Sequence, residues 1–126
     1  LLPRLPFALE LAYLHATRYG HALEGTLLDW RVRPTQDLRG RTVLVLDDIL
    51  DEGHTLKAII EHLKEEGAAE VLSAVLVHKL HDRKAYPGMR ADFSGLDIAD
   101  RFLFGCGMDY KGYWRNAPGI YAVKGL

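Results

Sequence analysis

Residues 41–78 read RTVLVLDDILDEGHTLKAIIEHLKEEGAAEVLSAVLVH, and three segments with different periodicities lie within them. Arg41 to Asp47 is a short β-branched run of the kind found in a strand buried on both faces. Leu56, Ile59, Ile60 and Leu63 then recur at helical spacing, with Thr55 at the start and Gly67 where a C-terminal cap belongs, which predicts one amphipathic helix. Ala69 to His78 is a second apolar strand. Strand, helix and strand predict a βαβ unit with a right-handed crossover, and therefore an α/β fold.

Outward from this unit, Leu9 to Tyr19 (LELAYLHATRY) places Leu9, Leu11, Tyr13, His15 and Thr17 on one side at a period of two, the mark of a strand. Thr26 to Val32 again looks extended, and the polar, glycine-bounded residues between predict a hairpin with a loose tip. Downstream, Arg101 to Gly105 and Ile120 to Val123 read as two short strands around a polar stretch. The chain has 126 residues, so residues 1–126 are expected to form a single domain. No repeat, linker or low-complexity segment interrupts it.

Composition narrows the function classes. Hydrophobic residues make up 48% and charged ones 26%, the balance of a chain that buries a core rather than one that stays disordered. Sixteen Lys+Arg against seventeen Asp+Glu leave no basic footprint for nucleic acid or anionic lipid, so any ligand must be recognised locally. Cys106 is the one cysteine, which excludes an intramolecular disulfide and a Cys-rich zinc site; a reducing cytoplasm is expected, with Cys106 as a small buried hydrophobe. No apolar run reaches the roughly 18 residues of a membrane span. The histidines show no spacing of transition-metal ligands, His78 and His81 being at most a weak pair.

Open parallel sheets bind ligands at the carboxyl ends of their strands, here Asp47-Asp48-Ile49-Leu50-Asp51-Glu52-Gly53-His54-Thr55. Exposed backbone N–H groups at the helix start, with the Thr55 hydroxyl, make an anion site suited to phosphate. Asp47 and Asp48 are placed to bind ribose hydroxyls, directly or through Mg²⁺, which prefers oxygen ligands. Asp51 lies between the two subsites, where proton transfer is useful.

Val43 to Leu56, VLVLDDILDEGHTL, resembles the phosphoribosyl pyrophosphate motif of the type I phosphoribosyltransferases: a strand, two acidic residues, two apolar ones, then Asp-Thr-Gly-Lys-Thr. Further on, Val77-His78-Lys79, Asp92-Phe93 with Gly95, Arg101-Phe102-Leu103-Phe104-Gly105 with Met108-Asp109-Tyr110, and Tyr113-Trp114-Arg115 resemble in order the purine-binding half of the hypoxanthine-guanine branch. The resemblance implies a Rossmann-like phosphoribosyltransferase core, a mainly parallel sheet flanked by helices with a mobile hairpin loop, and transfer of phosphoribosyl from phosphoribosyl pyrophosphate to hypoxanthine or guanine in purine salvage. By it, Asp47 and Asp48 hold ribose hydroxyls and metal, Asp51 is the acid/base at purine N7, and Asp51, Glu52, Gly53, His54 and Thr55 cradle the 5′-phosphate. Lys79 donates to purine O6, Phe102 stacks on the ring, and the Leu103 backbone meets the base edge. Asp109 serves the exocyclic side or a second Mg²⁺, Arg115 meets pyrophosphate, and Tyr19 sits on the mobile loop. A homodimer or homotetramer is implied, with neither nucleic acid nor membrane as partner.

Two departures from the family pattern stand out. Glu52-Gly53-His54 replaces the usual Thr-Gly-Lys, adding a carboxylate beside the phosphate and making the cation pH-dependent. The front strand and pyrophosphate-binding loop of the family are missing, and Leu1 to Pro6 resembles the sequence just past that loop, so an N-terminally incomplete enzyme is expected. Rival readings are weaker. Response-regulator receivers also carry VLVLDD, but they need a phospho-acceptor Asp ending another apolar strand, where this chain has His78 and Lys79. A nucleotide-binding regulator or a catalytically inactive relative is the alternative within the fold. Phe102 could simply be core, Lys79 a solvated strand end, and Asp109 with Arg115 a surface ion pair worth about 0 to 1 kcal/mol.

Overall fold

The central βαβ unit takes the expected form in a computed structural model, which describes residues 1–18 and 28–126. After a single 3-10 turn at Leu2–Arg4 come β1 (His15–Arg18), β2 (Leu28–Val32), β3 (Thr42–Leu50), α1 (His54–Glu65), β4 (Glu70–Leu80), β5 (Phe93–Ala99), β6 (Leu103–Phe104) and β7 (Tyr121–Ala122). β3, β4 and β5 form a parallel sheet in that order, with Val43 opposite Val71, Leu50 opposite His78 and Val77 opposite Leu96. β1 and β2 make the antiparallel hairpin, and β6 pairs antiparallel with β7.

α1 lays Leu56, Ile59 and Leu63 on the sheet face formed by Val45, Val71 and Val75, and these residues are the main core with Leu38, Leu50, Met89 and Ala91. Burial of each Leu- or Val-sized side chain there contributes about 1.5 to 3 kcal/mol. Trp30 of the hairpin meets the outer side of α1 at His62, ring centroids 4.9 Å apart. A smaller cluster of Val77, Leu103 and Met108, joined by Ile49, Ile98 and Ile120, fixes the 101–126 segment at the carboxyl end of the sheet. No helix of the described residues is long and apolar enough to cross a membrane.

Four expectations need correction. β3 is buried on one face only: Leu44 and Leu46 are 38% and 46% exposed, as is Leu76 of β4 at 40%, because α1 covers the opposite face. The strand expected from Leu9 begins only at His15; Leu9, Leu11 and Tyr13 are exposed, and the preceding segment is tied down by Gln36 donating to the Leu11 carbonyl and by an Arg41–Glu10 ion pair instead of a ladder. β5 was not anticipated at all. Cys106 is exposed rather than buried, since it occupies a left-handed turn (φ 48°) beside Gly105 and Gly107. Tyr19 lies outside the described residues.

Candidate active site

At the carboxyl end of β3 the chain must turn sharply into α1, and Gly53 makes that turn with φ 86° as the helix N-cap. No side chain caps the helix, so the first-turn N–H groups of His54, Thr55 and Leu56 face outward at the positive end of the helix dipole. An open hollow of about 300 Å³ lies there, lined by Asp47, Ile49 and the continuous run Leu50 to Leu56. The loop expected from sequence to cradle phosphate is therefore the wall of one concavity. Glu52 keeps its side chain half exposed, with its carboxylate 3.8 Å from His54 Nε2.

Gly53 cannot be replaced without strain. A Cβ would lie 2.6 Å from Met89 Sδ and 2.9 Å from Leu50 Cδ1, both residues being buried, and left-handed backbone is itself unfavourable for a side chain. Gly53→Ala is expected to lower stability by about 2 to 4 kcal/mol in urea denaturation; an unchanged midpoint would mean that the turn relaxes freely.

Asp47 and Asp48 end the exposed stretch of β3. Asp47 Oδ1 accepts the Asp48 backbone N–H at 2.9 Å. Crowding by surrounding protein pushes the Asp47 carboxyl up to about 6, the Asp48 N–H opposes this, and the Asp48 charge adds to it. The side chain nonetheless retains solvent contact, which tempers the energetic consequence. Because the folded value exceeds the ordinary 3.8, the folded chain holds a proton between those pH values that the unfolded chain has released. Stability contributed by this group therefore falls as pH rises from about 4 to 6. Asp47→Asn should be more stable than the parent at pH 7 by about 1 kcal/mol after discounting for solvent, and equal to it near pH 4. Denaturation at the two pH values checks both the size and the sign.

Asp51 stands at the mouth of the hollow and collects partners from β4 and the turn after it. His81 Nε2 lies 2.7 Å from Asp51 Oδ1, and Lys79 Nζ lies 3.3 Å from Oδ2. The parallel register that sets Leu50 beside His78 brings the next residues, Asp51 and Lys79, together across the strand ends. Partial burial pushes the Asp51 carboxyl up, but the hydrogen bond from His81 and then the charge and hydrogen bond of Lys79 outweigh it, holding the group below the usual carboxylate range. Lys79 itself is buried.

The other expected residues sit on the 101–126 segment. Phe102 is 46% exposed and meets Tyr110 in a T-shaped contact, centroids 5.8 Å apart. Leu103 is buried with its backbone in the β6–β7 ladder. Asp109 accepts the Gly112 N–H at 2.8 Å and pairs with Arg115 at 3.2 Å, while Arg115 also donates to the Gly107 carbonyl at 2.7 Å. His81, read from sequence only as half of a weak pair with His78, is instead a partner of Asp51. A single histidine in a charged turn carries no spacing signal, and its contact with Asp51 spans 30 positions.

The phosphoribosyl transferase domain family matches residues 1–111. The chain belongs to that family. It is 31% identical over 128 residues to the hypoxanthine-guanine phosphoribosyltransferase of Bacillus subtilis, covering 98% of this chain and 68% of the relative. Against the enzyme of the same name from Streptococcus pneumoniae it is 34% identical over 117 residues, covering 92% and 64%. Among solved structures, a hypoxanthine phosphoribosyltransferase from Staphylococcus aureus superposes with a TM-score of 0.88 at 29% identity, covering 98% of this chain and 66% of that one. The chain thus spans about two thirds of the length of these relatives, and the phosphoribosyl transferase fold expected from the Asp47–Thr55 loop is the one it has.

Proposed function

We propose that this protein transfers the phosphoribosyl group of phosphoribosyl pyrophosphate to N9 of hypoxanthine or guanine, forming the nucleoside monophosphate and releasing pyrophosphate in purine salvage. The observation that carries this reading is the convergence on Asp51: an ionised carboxylate at the mouth of an uncapped helix start, met by the buried ammonium of Lys79. The relatives named for this reaction support it. In the reaction the N9 lone pair forms the bond to ribose C1′ as the bond from C1′ to the pyrophosphate oxygen breaks. The purine N7 proton passes to Asp51, which is held ionised by His81 and Lys79 and so has an empty site for it. His54, Thr55 and Leu56 N–H groups hold the 5′-phosphate, Lys79 donates to O6, Phe102 covers the ring, and Arg115 takes charge on the pyrophosphate.

Mg²⁺ fits the residues present. Asp47 and Asp48 offer only oxygen ligands, and a cation would relieve the crowding that drives a proton onto Asp47. They would hold it, Asp109 being left for the exocyclic side of the base or a second ion, and bound Mg²⁺ would supply positive charge for the ribose hydroxyls and the pyrophosphate.

Phosphate capture by the helix start is tested by calorimetry of GMP against guanosine. GMP should bind far more tightly, through several charge-assisted hydrogen bonds. Equal affinities would remove the phosphate cradle and with it this reading.

A further inference from the structure

We propose that His81 is a positioning residue that fixes the Asp51 carboxylate by donating from Nε2, so that Oδ2 is the oxygen presented to the purine; the proposal rests on the role of Asp51 argued above. The His81 side chain is 4% exposed. Its Nδ1 accepts the backbone N–H of Arg83 at 3.0 Å, and Lys84 Nζ lies 3.5 Å from the same nitrogen. A ring nitrogen that accepts a backbone N–H carries no proton, so in this ring the proton is on Nε2, directed at Asp51 Oδ1 2.7 Å away. Oδ1 is thereby committed to a short bond. Oδ2 has only the longer 3.3 Å approach of Lys79 and is the oxygen free to exchange a proton.

The turn that carries His81 is itself held. Lys84 Nζ donates to the Lys79 carbonyl at 2.6 Å, and the Ala85 N–H donates to the Glu52 carbonyl at 2.8 Å. The second bond ties the His81–Ala85 turn directly to the loop that follows Asp51. The imidazole is therefore a strut between β4 and the catalytic loop, of the kind that keeps a reacting group within the small tolerance that turnover demands. Asp51, His81 and Asp100 do offer three ligand atoms within 4.8 Å of one another. A metal ion is disfavoured there by Lys79 Nζ 3.3 Å from Asp51, Lys84 Nζ 3.3 Å from His81 Nε2, and Arg83 bound to Asp100 at 2.8 Å.

His81→Leu and His81→Gln in the full-length chain separate positioning from packing, because a glutamine amide N–H reaches the place of Nε2 and leucine offers none. The leucine variant is expected to lose about 10- to 100-fold in kcat with the KM for phosphoribosyl pyrophosphate and the affinity for GMP unchanged; the glutamine variant should recover most of it. Nitrogen NMR of the wild type should find His81 protonated at Nε2 and bare at Nδ1. Carbon NMR should find the Asp51 titration raised by leucine and restored by glutamine. The charged and titratable groups around the ring are Asp51 just after β3, His78 and Lys79 on β4, Asp100 beyond β5, and Arg83 and Lys84 in the turn itself, so the variant pair is compared at one ionic strength. A proton on Nδ1 in the wild type overturns the proposal even if the leucine variant fails to fold, as does wild-type kcat in His81→Leu. If Asp51→Asn retains full turnover, the reading of Asp51 falls instead, a result distinguishable from failure at His81 alone.

Discussion

Asp51→Asn is expected to lower turnover by about 10² to 10⁴-fold while leaving the fold and nucleotide binding in place, the range typical for loss of a positioned acid/base. The amide oxygen still accepts from His81 Nε2, so the link between the catalytic loop and the turn after β4 survives. What disappears is the capacity to take a proton. Lys79, whose side chain is only 11% exposed, loses its anionic partner at 3.3 Å and meets the amide nitrogen instead, so some stability is lost with the charge, and denaturation measures how much. The N–H groups proposed to hold the phosphate belong to α1 and do not depend on the carboxylate. Steady-state kinetics in the full-length protein, with GMP calorimetry and denaturation alongside, separates these effects. Unchanged turnover would sink the role of Asp51; a parallel loss of GMP binding would mean the substitution had disturbed the loop.

The parts of this fold legible in the sequence are those whose signals are local. Val43 to Leu46 and Val71 to Val77 are β-branched or apolar runs, and the helix between them carries its stripe and its Gly67 stop, where φ is 96°. The phosphate loop was legible because Gly53 and the carboxylates are contiguous. β5 was not. Its sequence FSGLDIA contains a glycine that weakens any strand signal, and the reason for that glycine is tertiary: a Cβ on Gly95 would lie 2.7 Å from the Leu76 carbonyl oxygen of β4. The overextended first strand failed for the opposite reason, since period two from Leu9 says nothing about whether a partner strand is present. The exposed sheet face was misjudged because apolar composition reports what could be buried, whereas burial here depends on which face α1 covers. At the site, Asp51 was legible in its motif, and Lys79 through the family resemblance. His81 depends on a parallel register that no local pattern encodes.

Adenine is expected to be essentially unused as a substrate, with hypoxanthine and guanine both accepted, and the reason is the donor character of Lys79. A protonated amine has three donors and no acceptor, so it can satisfy the O6 carbonyl of a 6-oxopurine but meets the 6-amino group of adenine donor to donor. In this fold the penalty cannot be relieved by water, because the Lys79 side chain is only 11% exposed and is fixed at 3.3 Å from Asp51. Its backbone is held by the β4 register opposite Ile98 and by Lys84 on its carbonyl. Leaving buried polar groups unpaired costs about 1 to 3 kcal/mol for each neutral group and more for a charged one, and sites built on such pairing reject a mismatched analogue by roughly 10⁴-fold. Guanine over hypoxanthine is a smaller matter, since the extra 2-amino group asks only for acceptors such as the Leu103 carbonyl or Asp109. Lys79→Met, similar in length but unable to donate, should raise the KM for hypoxanthine much more than that for phosphoribosyl pyrophosphate, and should narrow the gap between hypoxanthine and adenine. Comparison of kcat/KM for the three bases in wild type and variant decides the matter: wild-type use of adenine equal to that of hypoxanthine would defeat the assignment of Lys79, whatever the phosphate loop does.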